Sequence, residues 1–217
     1  MRTTTAKLDM IKAAERLVAE RGVANVSLRE VQKASGQRNK SAAAYHFGTK
    51  EGLLAAILDY RMGPINHLRA AHLDALAGAD GATLHDLVRA LIDPLVACTV
   101  REPESGYARF LARTEADPAF LPLVRSAEES SSYRRWRAMI ADELTHLPSE
   151  LRFVRIDRVV AIVIQALALW EEGRGKRGQR LDLLIADLVE SCVGLLSAPD
   201  PTGGASSDRD LDETAAP

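Results

Sequence analysis

The residues whose types and spacing could do chemistry are concentrated in one stretch, Gln37-Arg38-Asn39-Lys40-Ser41, followed by Ala42-Ala43-Ala44 and Tyr45-His46-Phe47-Gly48. The first five side chains offer guanidinium, ammonium, amide and hydroxyl groups. These are the donors and acceptors that nucleic-acid bases and phosphates require, arginine matching guanine and asparagine or glutamine matching adenine. Three alanines, the strongest helix formers, keep a helix slim enough for a major groove only about 12 Å wide. Tyr45 and His46 can donate to phosphate oxygens, while Phe47 is suited to anchor the helix inward. Lys50 falls in the first turn of the next helix, where a cation opposes the helix dipole unless an anion such as phosphate sits there.

Other patterns resemble chemistry and lack its context. Residues 173–178, Gly-Arg-Gly-Lys-Arg-Gly, match G-x-G-x-x-G letter for letter. That motif binds dinucleotides only between a strand and a helix; here it follows a helix expected to end near Glu172 and reads as a flexible basic loop. Glu143 and His146 have the E-x-x-H spacing of di-iron bundles, which need a second copy and further carboxylates. No other histidine has a glutamate three residues before it, so His146 reads as capping the end of its helix. His67, His72 and His85 have no metal-ligand spacing, and no nucleophile elbow, P-loop or H-E-x-x-H occurs. Cys98 and Cys192 lie within apolar helical patterns and read as buried thiols. No cofactor, metal or catalytic residue is expected.

The elements that must position the Gln37–Phe47 stretch are helical, and no convincing strand occurs. Residues 6–21 carry Met10, Ile11, Ala14, Leu17 and Val18 on one face, with Gly22 suited to end the helix. Ser27 and Glu30 form a capping-box pattern that starts a short helix through about Ala34, and Gly36 suits the tight turn after it. Asn39 is the expected N-cap of a third helix running to about Tyr45, and Thr49 that of a fourth. Gly63-Pro64 is expected to kink or break this fourth helix, because proline disfavours helical geometry in the residue before it. The domain boundary is placed there.

Further helices are expected at about 65–77, 82–100 with a kink at Pro94, 105–115, 119–146, 149–172 and 180–196. From Ala198 to Pro217 the chain is rich in Pro, Gly, Ser and Asp and reads as a disordered acidic tail. The fold class is therefore all-α: a helix-turn-helix domain over 1–62, a helical bundle over 63–197, and the tail.

Charge divides along the same line. The chain of 217 residues has a net charge of −2, yet residues 1–62 hold eleven Lys and Arg against six Asp and Glu. That leaves +5 on the first domain and −7 on the rest, so a polyanion would meet the first domain. Hydrophobic residues are 47% and charged residues 27%, the balance of an ordinary globular protein. No apolar leader follows Met1, and the longest apolar run, residues 159–170, is too short to span a bilayer. The expectation is a cytoplasmic protein with no membrane partner.

A capped helix, a glycine turn and a second short helix make a helix-turn-helix, whose second helix enters the major groove. The candidate DNA-contacting residues are Ser27, Arg29, Gln37, Arg38, Asn39, Lys40, Ser41, Ala42, Tyr45, His46 and Lys50. Over about residues 6–61 the sequence resembles the TetR family of bacterial transcriptional regulators. Ala-Glu-Arg-Gly, Tyr-His-Phe-Gly and Thr-Lys-Glu-Gly-Leu occur there in the expected order. The sequence departs from most members at Gln32, where a small residue is usual, and at Gln37, where an apolar one is. It also has one extra residue between Gly36 and Tyr45, which leaves open which of Arg38, Asn39, Lys40, Ser41 and Ala42 face bases.

The resemblance implies a homodimer on a near-palindromic double-stranded DNA operator, and a second domain whose small-molecule effector releases DNA. Tyr107, Phe110, Arg113, Tyr133, Trp136 and Trp170 are the candidate ligand-lining residues, with Arg109 as an alternative to Arg113. A helix apolar nearly all round must be covered on every side. This sets the expected dimer face at Val159, Ile162, Val163, Ala166 and Leu167, completed by Leu184 and Leu188. Two other readings are open: a helical-bundle enzyme using Glu143 and His146 or a cysteine, and an interaction module that does not read DNA.

Overall fold

The computed structural model describes residues 5–39, 41–78, 81–102, 104–128, 130–173, 180–201 and 203, and all regular structure among them is helical. The α-helices run α1 Thr5–Arg21, α2 Leu28–Ala34, α3 Ala42–Phe47, α4 Lys50–Ala77 and α5 Leu84–Cys98, with one 3₁₀ turn at Val23–Asn25. They continue as α6 Tyr107–Glu115, α7 Leu121–Glu128, α8 Ser131–Glu143, α9 Ser149–Gly173 and α10 Leu181–Ser197. Helices α1 to α3 and the start of α4 form the first domain. Met10, Ile11, Ala14 and Leu17 meet Val31, Ala43, Phe47, Leu53 and Ile57 in its core. In the second domain α5, α6, α8 and α9 enclose Leu87, Tyr107, Phe110, Trp136 and Val163. Among the described residues no helix is long and apolar enough to cross a membrane, and no group of His, Cys, Asp and Glu could hold a metal ion.

Helix α4 does not break at Gly63-Pro64. It is continuous over 28 residues, about 42 Å at the usual rise. Gly63 and Pro64 both face solvent, so the carbonyl that loses its intrahelical partner at proline can be hydrated. Met62, Ile65 and Leu73 on the inward side are buried and anchor the helix on both sides of the proline. The two domains therefore share α4, and the expected boundary lies inside it. Pro94 is likewise accommodated within α5.

The expected helix over 119–146 is two helices. Ser130 caps the second, its hydroxyl accepting from Tyr133 N at 3.3 Å and donating to Asn66 Oδ1 of α4 at 3.0 Å. His146 lies beyond the end of α8 and does not cap it; its Nε2 is 3.3 Å from the carbonyl of Ala198, the C-cap residue of α10. The start of the expected tail is pinned: Arg155 donates to the carbonyls of Leu196 (3.3 Å), Ala198 and Pro199 (2.7 Å). Residues 202 and 204–217 lie outside the described residues, as do 174–178 of the glycine motif.

Buried ion pairs join the domains. Glu15 of α1, 2% exposed, grips Arg61 of α4 at both ends, with Nε to Oε2 at 2.6 Å and Nη2 to Oε1 at 2.8 Å. Burial alone would favour a neutral Arg61, but the bonds and charge of Glu15, then Glu102, outweigh it and raise the guanidinium above its ordinary pKa. Glu15 Oε1 also accepts from Gly106 N at 3.1 Å, and Glu171 of α9 accepts from Arg109 N at 3.0 Å. The N-terminus of α6 thus receives a buried carboxylate from each side, where the helix dipole favours negative charge.

Candidate nucleic-acid interface

Ser27 and Glu30 build the capping box that the sequence predicts. Ser27 N donates to Glu30 Oε2 at 2.9 Å, and Glu30 N donates back to Ser27 Oγ at 3.3 Å. The Ser27 hydroxyl, donating to Glu30 Oε2 at 2.8 Å, and then Ser27 N hold the Glu30 carboxyl below its ordinary pKa. A depressed carboxyl contributes stability above its unfolded pKa, and that contribution is lost as pH falls through the folded value. The turn after α2 is a Schellman motif around Gly36 at φ +71°: Gly36 N bonds the Lys33 carbonyl and Gln37 N the Gln32 carbonyl, both at 3.2 Å.

Helix α3 starts two residues later than expected. Asn39 is not its N-cap; it orders the turn before the helix, with Oδ1 accepting from Ser41 N at 3.1 Å and from Ser41 Oγ at 2.9 Å. Ser41 occupies the N-cap position, and the helix includes His46 and Phe47. Gln37, Arg38 and Asn39 therefore precede the recognition helix instead of lying on it, and Lys40 lies outside the described residues.

The three alanines divide. Ala42 and Ala43 are buried and hold α3 against the core, so the Ala42 methyl faces inward and cannot meet a base. Ala44 is exposed, as are Ser41 and Tyr45, the last by 85%. Residues 41, 44 and 45 have helical i, i+3, i+4 spacing and form the outward face of α3. Ser27, Arg29, Arg38 and Asn39 are exposed around it, Gln37 and His46 half-buried, and Phe47 packs inward. Lys50 does not point freely outward. Its Nζ lies 3.4 Å from the Ala24 carbonyl and 5.9 Å from the Phe120 ring centroid, linking the start of α4 to both domains. Two residues outside the candidate DNA-contact set lie near this face: Ala44, exposed on α3, and Lys7 of α1, whose Nζ is 5.9 Å from the Phe47 ring centroid.

The six expected ligand-lining residues do not gather in one place. Tyr107 and Phe110 stack in the core with centroids 5.7 Å apart, and Trp136 is fully buried with Nε1 donating to the Leu87 carbonyl at 2.8 Å. Arg113, with Arg109, borders a groove between α1, α6 and α9. Trp170 lies in another groove, between α9 and α10. Tyr133 alone reaches a large cleft, of about 720 Å³ between α7, α8 and α9. The residues of the expected dimer face differ in their exposure within the single chain. Val159, Val163, Leu167 and Leu188 are covered by their own chain, whereas Ile162, Leu169, Leu183 and Leu184 are 40–66% exposed and Ala166 half-buried.

Comparison with known proteins agrees with this architecture. The sequence model of the bacterial regulatory proteins of the tetR family matches residues 10–57, which run from α1 through the first turns of α4. No curated protein sequence matches the chain. The fold is similar to the fatty acid degradation regulator FadR from Bacillus halodurans, at 13% identity and a TM-score of 0.62, over 89% of this chain and 97% of that one. It is similar to a TetR-like transcriptional regulator from Rhodococcus sp. RHA1, at 15% identity and 0.62, over 95% and 99%. Mycobacterium smegmatis AmtR matches at 22% identity and 0.57, over 91% and 89%. Residues 10–57 thus carry the sequence pattern of the DNA-binding domain of tetR-family bacterial regulatory proteins, with its helix-turn-helix in α2 and α3.

Proposed function

We propose that the protein acts as a homodimeric repressor, whose two α3 helices occupy successive major grooves of a near-palindromic operator and leave it when a small molecule binds the second domain. The observation that carries this reading is the outward face of α3. Ser41, Ala44 and Tyr45 form a slim, polar, exposed ridge on a helix whose other side is locked into the core, with Arg29 and Arg38 exposed beside it. A narrow ridge can approach base edges, and flanking cations neutralise phosphates. In this reading Arg38 and Ser41 are placed to meet bases, and Ser27, Arg29 and Tyr45 to meet the backbone.

The groove between α9 and α10 supports the dimer. Ile162, Leu169, Trp170 and Leu184 leave an apolar strip that a second copy would cover as a four-helix bundle. The unbroken α4 supports coupling, since it runs as one rod from its contact with α3 into the second domain. A ligand that changes the dimer geometry would move the α3 helices off the spacing of about 34 Å that successive grooves require.

The test is a titration of the purified protein against its own upstream DNA at two salt concentrations, beside a scrambled competitor. Binding that survives excess competitor, with a smaller share lost to salt than for the scrambled DNA, is expected. Equal and salt-labile binding to both DNAs would overturn operator recognition.

A further inference from the structure

Two voids in the second domain share a wall. The open cleft between α7, α8 and α9 holds about 720 Å³, and a narrower, less open cavity beside it holds about 30 Å³. Val124, Tyr133 and Val160 line both. Beyond them the cavity is walled by Leu58 and Met62 of α4, Leu91 and Leu95 of α5, and Ile164 of α9. It has room for about one water and no more.

The rim of the cleft is positive. Arg125, Arg134 and Arg137 face Glu115 and Asp157, and Arg137 is already hydrogen-bonded to Asp157. Arg125 and Arg134 are exposed, and among the described residues neither forms an ion pair. A cationic ligand would be repelled by these two guanidiniums, and a neutral one would gain nothing from them. An anion would gain charge-assisted hydrogen bonds. Arg69, in the cavity wall, donates to Asn66 Oδ1 at 2.9 Å and lies 5.5 Å from the Tyr133 ring centroid, so it forms part of the fixed wall.

We infer that cleft and cavity are the two halves of one channel for an organic anion, with a carboxylate or phosphate head on Arg125 and Arg134 and an apolar tail that displaces Tyr133 to enter the cavity. The inference rests on the effector reading above and gives its ligand a chemical class. It also gives the ligand a mechanical purchase. The tail meets Leu58 and Met62, which lie on the helix whose first turns pack against α3, so filling the cavity pushes on α4 itself.

The test is direct binding of octanoate, octyl phosphate and uncharged methyl octanoate, read by the fluorescence of Trp136. This residue is fully buried with its ring 5.4 Å from that of Tyr133, so it reports displacement of Tyr133. Wild type is compared with the Arg125→Ala/Arg134→Ala double variant, whose altered side chains are exposed and whose fold is retained. Saturable binding of at least one anion, about tenfold tighter than the ester, is expected, with about tenfold lost in the double variant. Preference between the two anions identifies the head group.

Equal affinity for anion and ester, unchanged affinity in the double variant, or no saturable binding of either anion overturns the inference. A parallel operator titration separates it from the release reading. Anion binding without release supports this site and counts against effector-driven release. Release by the ester alone overturns the site and supports release.

Discussion

Gly52 sits where a β-carbon would lie 2.1 Å from the Phe47 carbonyl oxygen, a backbone atom that cannot step aside. The glycine lets the start of α4 close on the end of α3 and so fixes the angle at which α3 projects. Gly52→Ala should therefore lower stability by about 1–3 kcal/mol and weaken specific DNA binding with it; an unchanged thermal midpoint would show that the contact carries no strain. Tyr45 is the opposite case. It is 85% exposed, so Tyr45→Ala should leave stability within about 0.5 kcal/mol of wild type and weaken binding to all DNA sequences alike. A loss confined to one operator position would assign Tyr45 to a base instead. The residue types of this site were legible in the sequence because slimness and polarity are properties of composition. Which residues face out was not, because that depends on where α3 starts. The choice between Asn39 and Ser41 as cap is made by hydrogen bonds within the turn that either side chain could offer.

Among the elements, α4 runs from its contact with α3 into the second domain, and it was the one least legible in the sequence. A proline inside a helix predicts a break from local sterics alone, whereas the outcome depends on which side of the helix it occupies, a tertiary fact. The reverse error occurred at Ser130, a strong N-cap inside a stretch read as one helix, where three consecutive serines were the unused signal. Because Pro64 is exposed and the backbone there is already helical, Pro64→Ala should raise stability by up to about 3 kcal/mol and leave ligand-free DNA affinity unchanged. Denaturant melts check the first part; a fall in stability would mean that α4 needs its proline. The Glu15–Arg61 pair is the second joint at this scale. Removing one member of a buried pair strands the other charge, so Glu15→Ala should cost about 3–5 kcal/mol and free the N-terminus of α6 from α1. Retention of the wild-type unfolding midpoint would show that water or Glu102 compensates.

The whole molecule places its charge and its apolar surface at opposite tasks. Residues 1–62, which include the α3 ridge, carry +5, while an apolar strip of Ile162, Leu169, Leu183 and Leu184 is left on α9 and α10. The sequence predicted that α9 needed covering on all sides, and periodicity identified the helix. It could not apportion the faces, because Val159, Val163 and Leu167 are covered by the chain's own helices, while the strip with Ile162 and Leu169 stays exposed, as do Phe153 and Val154 nearer the start of α9. The prediction belongs to that strip. Leu169 is 66% exposed in the single chain, so Leu169→Glu should leave the protomer folded, with an unchanged helical signal, while a glutamate from each copy meets its counterpart in an interface without water. Sedimentation should then show a monomer where wild type is a dimer. Operator affinity should fall by about a hundredfold or more, because each head must bind its half-site without the effective concentration its twin supplies. A variant that stays dimeric would move the interface elsewhere. A monomer that keeps full operator affinity would show that one α3 ridge, with Arg29 and Arg38 beside it, suffices for recognition.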